Sequence, residues 1–398
     1  MKSFILALFL LGSTTLTVLA VSGYSTNGKS DAKDHVAIIE KEFKRPVVEL
    51  VFALDTTGSM SGLINASKEK IWSIASTMAQ AQPAPEIRIG LVAYRDRGDD
   101  YVTKIVPLSS DLDAVYAQLL DFSAAGGGDG PESVNEALYK AVNNIQWSQS
   151  SSAYKAIFLV GDAPGHHDYQ DDVPYTQSVK AAMQKGIIVN TIQAGNNRDM
   201  KSEWQKIAAI GQGDTFQVNT TGEAFAVTTP FDKKIAEASR RLDATKIFYG
   251  SAEEQAKAEK RKKNSEKVYA ESSMASQARR AKYNLSDSAS SIASKEKELL
   301  QAIERGEVEL DEIAEAELPQ SIAEASSSTR KQVVEGKLAE RKAIKAELAK
   351  LSEERQAYIK TQREKLGAGK KSLDDKLLAT LKEQAMDKGL KYDKENDY

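Results

Sequence analysis

The chain has 398 residues, more than one ordinary domain needs, so we expect a cored domain and a second region. Its 54 Lys and Arg against 57 Asp and Glu give a net charge of −3, which excludes a strongly basic nucleic-acid-binding protein. It has no cysteine, which excludes disulfides, thiolate nucleophiles and cysteine-based zinc sites. All 10 Phe and all 3 Trp lie at or before Phe248, so we expect the core in the earlier part of the chain.

The first 20 residues have the order of a secretory signal peptide. Lys2 precedes an apolar run at 4–11, and small residues end the segment at Ala20. The run is too short to span a bilayer comfortably, and no later segment approaches the roughly 18 apolar residues of a spanning helix. We therefore predict a signal peptide at 1–20, a polar leader at 21–45 and a soluble mature protein in the periplasm or outside the cell. A retained N-terminal anchor or a core helix is the alternative.

Strands and helices alternate through the middle of the chain. Predicted strands lie at 47–54, 87–94, 101–106, 156–160, 186–193 and 215–218. Predicted helices lie at 65–82, 114–122 and 204–210. Another predicted helix begins at Pro131, and a further one ends at about Lys185. This alternation predicts an α/β fold with a doubly wound, mostly parallel sheet that has helices on both faces.

Oxygen-bearing side chains follow the predicted strands, where ligands bind in such sheets. They come from three separate loops: Asp55, Thr57 and Ser59 in the first, Asp129 and Glu132 in the glycine-rich second loop, and Asp162 in the third. Hydroxyl and carboxylate oxygens without cysteine favour Mg²⁺, Mn²⁺ or Ca²⁺ over zinc or copper.

Residues 51–60, Val-Phe-Ala-Leu-Asp-Thr-Thr-Gly-Ser-Met, resemble the opening of a von Willebrand factor A (VWA) domain with its metal-ion-dependent adhesion site (MIDAS). The turn 94–96 and the segment 126–132 resemble a subgroup that includes the A domain of alpha-kinases and many exported bacterial proteins. The resemblance implies a Rossmann-like VWA domain at 46–222. It also implies Asp55, Thr57 and Ser59 as the first metal loop and Asp162 as the third.

The second loop departs from the family pattern. Many members place a Thr where this chain has Gly128 and Asp129, so Asp129 is the candidate ligand there, directly or through water. A turn that opens a helix is the alternative for Asp129, and helix capping is the alternative for Asp55 and Ser59. The turn 94–96 is expected to brace the loops rather than to bind metal.

The resemblance implies binding and not catalysis. A cation held by these residues keeps an open position for an acidic side chain of a partner, so we expect a metal-dependent protein-binding module in the cell envelope or secreted, and not an enzyme. One alternative is a Mg²⁺-dependent phosphatase-like hydrolase, but the segment at Asp162 offers one Asp where a pair is expected. Another alternative is a helical scaffold with a vestigial metal site.

Two adjacent histidines are candidates for a further metal site. His166 and His167 precede Asp168, but adjacent His side chains point in different directions and no third ligand has suitable spacing. We therefore predict an exposed loop for this segment.

The C-terminal third is predicted to be helical, with a connector at 223–250 and a charged, partly coiled-coil region at 251–398. Its best predicted helices lie at 295–318, 331–366 and 373–386. In the second of these, a heptad seam of Ile344, Leu348, Leu351 and Tyr358 is interrupted by Arg341, Arg355 and Gln362. Two arrangements stay open: self-association through a dimeric coiled coil, and helices that fold back onto the sheet domain.

Overall fold

A six-stranded sheet forms the centre of the first part of the molecule. The computed structural model describes residues 45–218, 228–365 and 373–392, and within them the strand order is β3-β2-β1-β4-β5-β6. β3 runs antiparallel to β2, and all other neighbouring strands are parallel. The strands are β1 (Val47–Asp55), β2 (Glu86–Tyr94), β3 (Thr103–Ser109), β4 (Tyr154–Gly161), β5 (Ile187–Ala194) and β6 (Gln212–Val218). The predicted mostly parallel, doubly wound sheet is confirmed.

Helices cover both faces of this sheet. They are α1 (Ser61–Met78), α2 (Leu112–Leu120), α3 (Val134–Asn143), α4 (Tyr175–Gln184) and α5 (Arg198–Ile210). On one face Trp72 of α1 packs against Tyr116 of α2, and on the other Leu138 of α3 and Trp204 of α5 are fully buried. β1 is buried at every position after its first, as expected for a central strand with helices on both faces. Because the strand order reverses between β1 and β4, their carboxyl ends flank the crevice where such sheets bind ligands.

Two predicted helix positions are wrong. The helix after Pro131 begins three residues later, at Val134, because Glu132 lies extended: its N–H donates to the carbonyl of Pro164 at 2.9 Å, and its carbonyl accepts from the N–H of His166 at 3.0 Å. The predicted helix at 295–318 is interrupted at Gly306, whose φ of +67° favours glycine. The chain forms instead a short helix, α10 (Leu299–Glu304), and two single turns of 3₁₀ helix.

The C-terminal helices pack onto the sheet domain. They are α6 (Asp232–Ala244), α7 (Ala252–Glu271), α8 (Met274–Asn284), α9 (Asp287–Lys295), α10, α11 (Gln320–Ala323), α12 (Ser327–Lys365) and α13 (Leu373–Met386). Leu377 and Leu381 of α13 join the core on the α1 face, and the ring of Tyr283 of α8 lies 5.9 Å from that of Trp72. The helices therefore fold back onto the sheet domain. The predicted domain bounds remain predictions.

The predicted heptad seam of α12 is covered by other helices of the same chain. Ile344 and Leu348 of α12 are buried against Ile235 and Leu242 of α6. The arginines that interrupt the seam form ion pairs there: Arg341 Nη1 lies 2.7 Å from Glu298 Oε2, and Arg355 Nε lies 2.7 Å from Asp232 Oδ1.

No helix in the described ranges combines the length and the apolar composition needed to cross a membrane. The predicted signal peptide at 1–20 and all but the last residue of the predicted leader at 21–45 lie outside the described residues.

Candidate metal centre

Four of the five predicted ligands meet at the carboxyl ends of β1 and β4. Asp55 is the last residue of β1, and Asp162 follows β4, which pairs directly with β1. The Thr57 hydroxyl donates to Asp55 Oδ1 at 2.6 Å and lies 3.2 Å from Ser59 Oγ. Ser59 Oγ in turn donates to Asp162 Oδ1 at 2.9 Å. Asp55, Thr57, Ser59 and Asp162 thus form one connected group, although 103 positions separate Ser59 from Asp162.

The glycine-rich loop adds Glu132 to this group. Its side chain is almost fully buried, next to that of Thr57. A Cβ added to Gly127 would lie 3.5 Å from both Glu132 Oε1 and Thr57 Cβ, so the loop backbone runs directly past the pair. The sequence showed Glu132 only as a charge near Asp129. Its inward position depends on the extended backbone between Pro164 and His166, which no local pattern reveals.

Asp129 lies beside His166. Its Oδ1 is 3.5 Å from His166 Nε2, and its side chain is 59% exposed. Asp96 approaches the same nitrogen, with Oδ2 3.3 Å from Nε2. Ligation of the Asp55 site by Asp129 remains a prediction.

The predicted exposed loop at 166–168 is wrong for His166. This residue is only 5% exposed, whereas the side chain of His167 is 58% exposed. The ring of His166 stacks on that of Tyr169, with centroids 4.2 Å apart, and the backbone at Gly165 pairs with that of Glu132. The carboxylates closest to His166 Nε2 belong to Asp96 and Asp129, which lie far from it in the chain. The spacing of residues 166–168 alone could therefore not reveal these neighbours.

Burial makes the carboxylates of this site costly to ionise without a cation. The pKa of Asp55 is raised to about 7, chiefly by burial and also by the charge of Asp162, against the hydrogen bonds from Thr57. Burial, followed by the charges of Asp55 and Asp96, raises the pKa of Glu132 to about 9. The pKa of Asp162 is also raised by burial.

Two oxygens of the group have no hydrogen-bond partner among the described residues. Asp55 Oδ2 and Glu132 Oε2 are both buried. Unpaired buried acceptors are rare because each one keeps its desolvation cost. A hard divalent cation would satisfy such oxygens, and carboxylate and hydroxyl donors are the set that Mg²⁺, Mn²⁺ and Ca²⁺ take. The residues present therefore fit a cation at this place.

Neighbouring residues hold the loops in place. Arg95 is buried; its Nε donates to the carbonyl of Thr56 at 3.1 Å, and its Nη2 donates to that of Ser123 at 2.9 Å. The predicted bracing role of the turn 94–96 is confirmed for Arg95. The capping alternative for Asp55 and Ser59 finds no support in the helix starts: the N-cap residues of the 3₁₀ helix Gly58–Met60 and of α1 are Thr57 and Met60, and neither side chain makes a cap hydrogen bond.

The doubly wound sheet, with its polar loops at the carboxyl ends of β1 and β4, defines the class of this part of the chain as a Rossmann-like α/β domain. Residues 49–229 match the family model of the von Willebrand factor A domain. This part of the chain is therefore a VWA domain, a module that commonly mediates protein–protein interaction.

Curated relatives match over part of the chain. The chain is 34% identical over 108 residues to von Willebrand factor A domain-containing protein 7 of Homo sapiens, which covers 26% of this chain and 12% of the relative. The Rattus norvegicus protein of the same name is 37% identical over 97 residues, covering 24% of this chain and 10% of the relative. The matches thus span about a tenth of the length of these relatives.

Solved structures show a distant likeness. Proximal thread matrix protein 1 from the mussel byssus is 14% identical with a TM-score of 0.35, covering 44% of this chain and 42% of that chain. A further structure of that protein has a zinc-occupied MIDAS motif. The VWA domain of SpRpn10 is 12% identical with a TM-score of 0.34, covering 44% of this chain and 89% of that chain.

Proposed function

We propose that this protein is a metal-dependent protein-binding module, exported to the periplasm or secreted, and not an enzyme. Its VWA domain would use a Mg²⁺, Mn²⁺ or Ca²⁺ ion to bind an acidic side chain of a partner. Asp55, Thr57, Ser59 and Asp162 would hold the ion. The second loop would contribute Glu132, while Asp129, the ligand that the sequence predicts there, lies beside His166. The proposed site is the MIDAS of this domain.

The buried, unpartnered Oδ2 of Asp55 is the observation that carries the proposal. This atom belongs to a group in which the Thr57 hydroxyl donates to Asp55 Oδ1 and the Ser59 hydroxyl donates across to Asp162 on the other loop. The site lies at the carboxyl edge of the sheet, and Ser59 beside it is exposed. An acidic side chain of another protein could therefore reach the site from solvent.

The site would bind a carboxylate of a partner through the cation and through loops that the chain holds in place. When bound, the cation would supply positive charge and an open coordination position for a carboxylate oxygen. Thr57 and Ser59 contribute neutral oxygens, so they add ligand atoms for the cation without adding negative charge. Arg95 holds the backbone of Thr56 and Ser123, which fixes the first loop against the segment before the glycine-rich loop.

Metal binding by the purified full chain tests the first half of the proposal. Titration calorimetry with Mg²⁺, Mn²⁺ and Ca²⁺ should show binding that Asp55→Asn removes, because Asp55 carries the unpartnered oxygen. Glu237→Gln, which neutralises an exposed carboxylate on α6, is the matched control and should bind as wild type. Equal binding by wild type and Asp55→Asn would contradict the assignment of the site.

Crosslinking in the cell envelope and the culture medium tests the second half. We expect the wild-type chain to capture a protein partner that EDTA releases and that Asp55→Asn fails to capture. A partner retained equally with chelator, with Asp55→Asn and after deletion of residues 46–222 would show that the helices do the binding.

A further inference from the structure

We propose that Asp96, Asp129 and His166 form a second metal site for a divalent transition-metal ion, with Zn²⁺ as the best match. The three residues come from the loops after β2, before α3 and after β4, so the fold alone brings them together. One ligand atom from each lies within 4.8 Å of the other two. Imidazole and carboxylate are ligands of Zn²⁺, whereas the Asp55 site offers oxygen alone.

The distances suit ligands that surround a metal. His166 Nε2 lies 3.3 Å from Asp96 Oδ2 and 3.5 Å from Asp129 Oδ1. Ligands about 2.1 Å from a tetrahedral zinc ion stand about 3.4 Å apart. A charge-assisted N–H···O bond is shorter, at about 2.7–2.9 Å. These two separations are therefore close to the ligand–ligand spacing of a tetrahedral zinc site.

An unpartnered nitrogen points into the cluster. His166 is 5% exposed, and its Nε2 is buried without a hydrogen-bond partner among the described residues. Its other nitrogen, Nδ1, lies 2.7 Å from Asp168 Oδ1. With the proton on Nδ1, the ring donates to Asp168 and presents the Nε2 lone pair to Asp96 and Asp129. A carboxylate behind a histidine in this way is the usual support of a metal-binding imidazole.

Asp96 is supported in a similar way. It is 7% exposed, its Oδ1 accepts a hydrogen bond from Ser133 Oγ at 3.1 Å, and the Tyr169 hydroxyl donates to the carboxylate from 3.1 Å to both Oδ1 and Oδ2. Tyr169 also stacks on the ring of His166, so one side chain orients two of the three ligands. Asp129 is the exposed member of the cluster and leaves a route for the ion and for a water ligand.

Zinc titration of the full chain tests the site. The metal-free protein is first saturated with Mg²⁺, so that the Asp55 site is filled, and then titrated with Zn²⁺ by calorimetry. We expect one Zn²⁺ per chain, with affinity reduced at least about tenfold in His166→Gln and Asp129→Asn, and reduced about 10- to 100-fold in Asp168→Asn. Co²⁺ in place of Zn²⁺ should give the visible absorption of a site with a nitrogen ligand, absent in His166→Gln.

The controls separate this site from the proposed function. His167→Gln changes the adjacent, exposed histidine and should bind zinc as wild type. Asp55→Asn should keep the zinc site, so the two proposals can fail independently. Asp129→Asn, at an exposed side chain, keeps the test informative if His166→Gln fails to fold. Identical zinc titrations of wild type, His166→Gln and Asp129→Asn would overturn the proposal, as would zinc binding that only Asp55→Asn removes.

Discussion

Arg280 and Asp113 form an ion pair across the contact between the C-terminal helices and the sheet domain. Arg280 Nε on α8 lies 2.6 Å from Asp113 Oδ1 on α2, and the arginine side chain is 1% exposed. Its Nη1 also donates to Asp243 Oδ2 on α6 at 2.8 Å. One buried guanidinium thus joins α2, α6 and α8, so the helical region is fixed to the VWA domain by a charge that water does not solvate.

Removing this guanidinium should destabilise the whole chain. Arg280→Ala removes the buried guanidinium from two largely buried carboxylates, of which Asp243 keeps Lys246 at 2.7 Å, and breaking a buried pair in this way costs about 3–5 kcal/mol. Arg241→Ala is the control, because Arg241 pairs with Glu347 at the surface and such pairs contribute less than about 1 kcal/mol. Urea unfolding measures both. Equal losses for the two variants would show that the buried pair does not fix the helices.

Gly161 sets the spacing of the candidate metal centre. A Cβ there would lie 2.5 Å from the Tyr94 hydroxyl and 3.0 Å from Asp55 Oδ2. We therefore expect Gly161→Ala to lower the free energy of unfolding by about 1–3 kcal/mol and to weaken cation binding at the Asp55 site. Gly128→Ala is the control in the neighbouring loop, since its added Cβ would meet open space. Thermal melting and calorimetric titration give the two readouts; unchanged cation affinity in Gly161→Ala would contradict the close approach.

The sheet and four residues of the candidate metal centre could be predicted because the patterns that locate them are local in the sequence. Asp55, Thr57 and Ser59 lie in one turn, and Asp162 directly follows a continuous apolar strand, so strand ends alone locate them. Glu132 was missed as a site residue because its direction is set by backbone hydrogen bonds to another loop. The burial of His166 was not predicted for the same reason, because its neighbours in space are distant in the chain.

The charged residues within the heptad seam also have partners that a local sequence pattern could not reveal. Arg341 and Arg355 looked like interruptions of a coiled coil, yet both are paired with carboxylates of the same chain, Glu298 before α10 and Asp232 in α6. A pattern of apolar positions reports that a face is buried. It does not report whether the covering surface belongs to another copy or to the same chain.

Leu348 tests which surface covers the seam. The side chain is 0% exposed and lies in a cluster with Ile235 of α6 and Ala281 of α8. Leu348→Ala should lower the free energy of unfolding by about 2–5 kcal/mol, whereas Val333→Ala, at a position 42% exposed, should change it by less than about 0.5 kcal/mol. Because the contact is intramolecular, urea midpoints should not depend on protein concentration. A midpoint that rises with concentration and loses this dependence in Leu348→Ala would place the seam between two copies.

Glu296 makes stability depend on pH near neutrality. Burial raises its pKa to about 7, although Arg261 lies 3.1 Å from its carboxylate, and nearby Asp111 adds to the increase. In the unfolded chain the pKa returns to about 4.5. Between these values the folded protein binds the proton more tightly, so the contribution of Glu296 to the free energy of unfolding is largest below pH 4.5 and falls as the pH rises to 7.

Glu296→Gln should remove this part of the pH dependence. The difference between the two pKa values corresponds to roughly 3 kcal/mol, so the wild-type protein should lose stability of that order between about pH 4.5 and pH 7 through this group alone. The variant should fall less steeply across the same range, because its neutral amide has no charge to bury. Glu237→Gln, at an exposed carboxylate, should keep the wild-type slope. Urea unfolding at half-unit pH steps measures all three, and parallel curves for wild type and Glu296→Gln would show that this carboxyl group ionises normally in the folded protein.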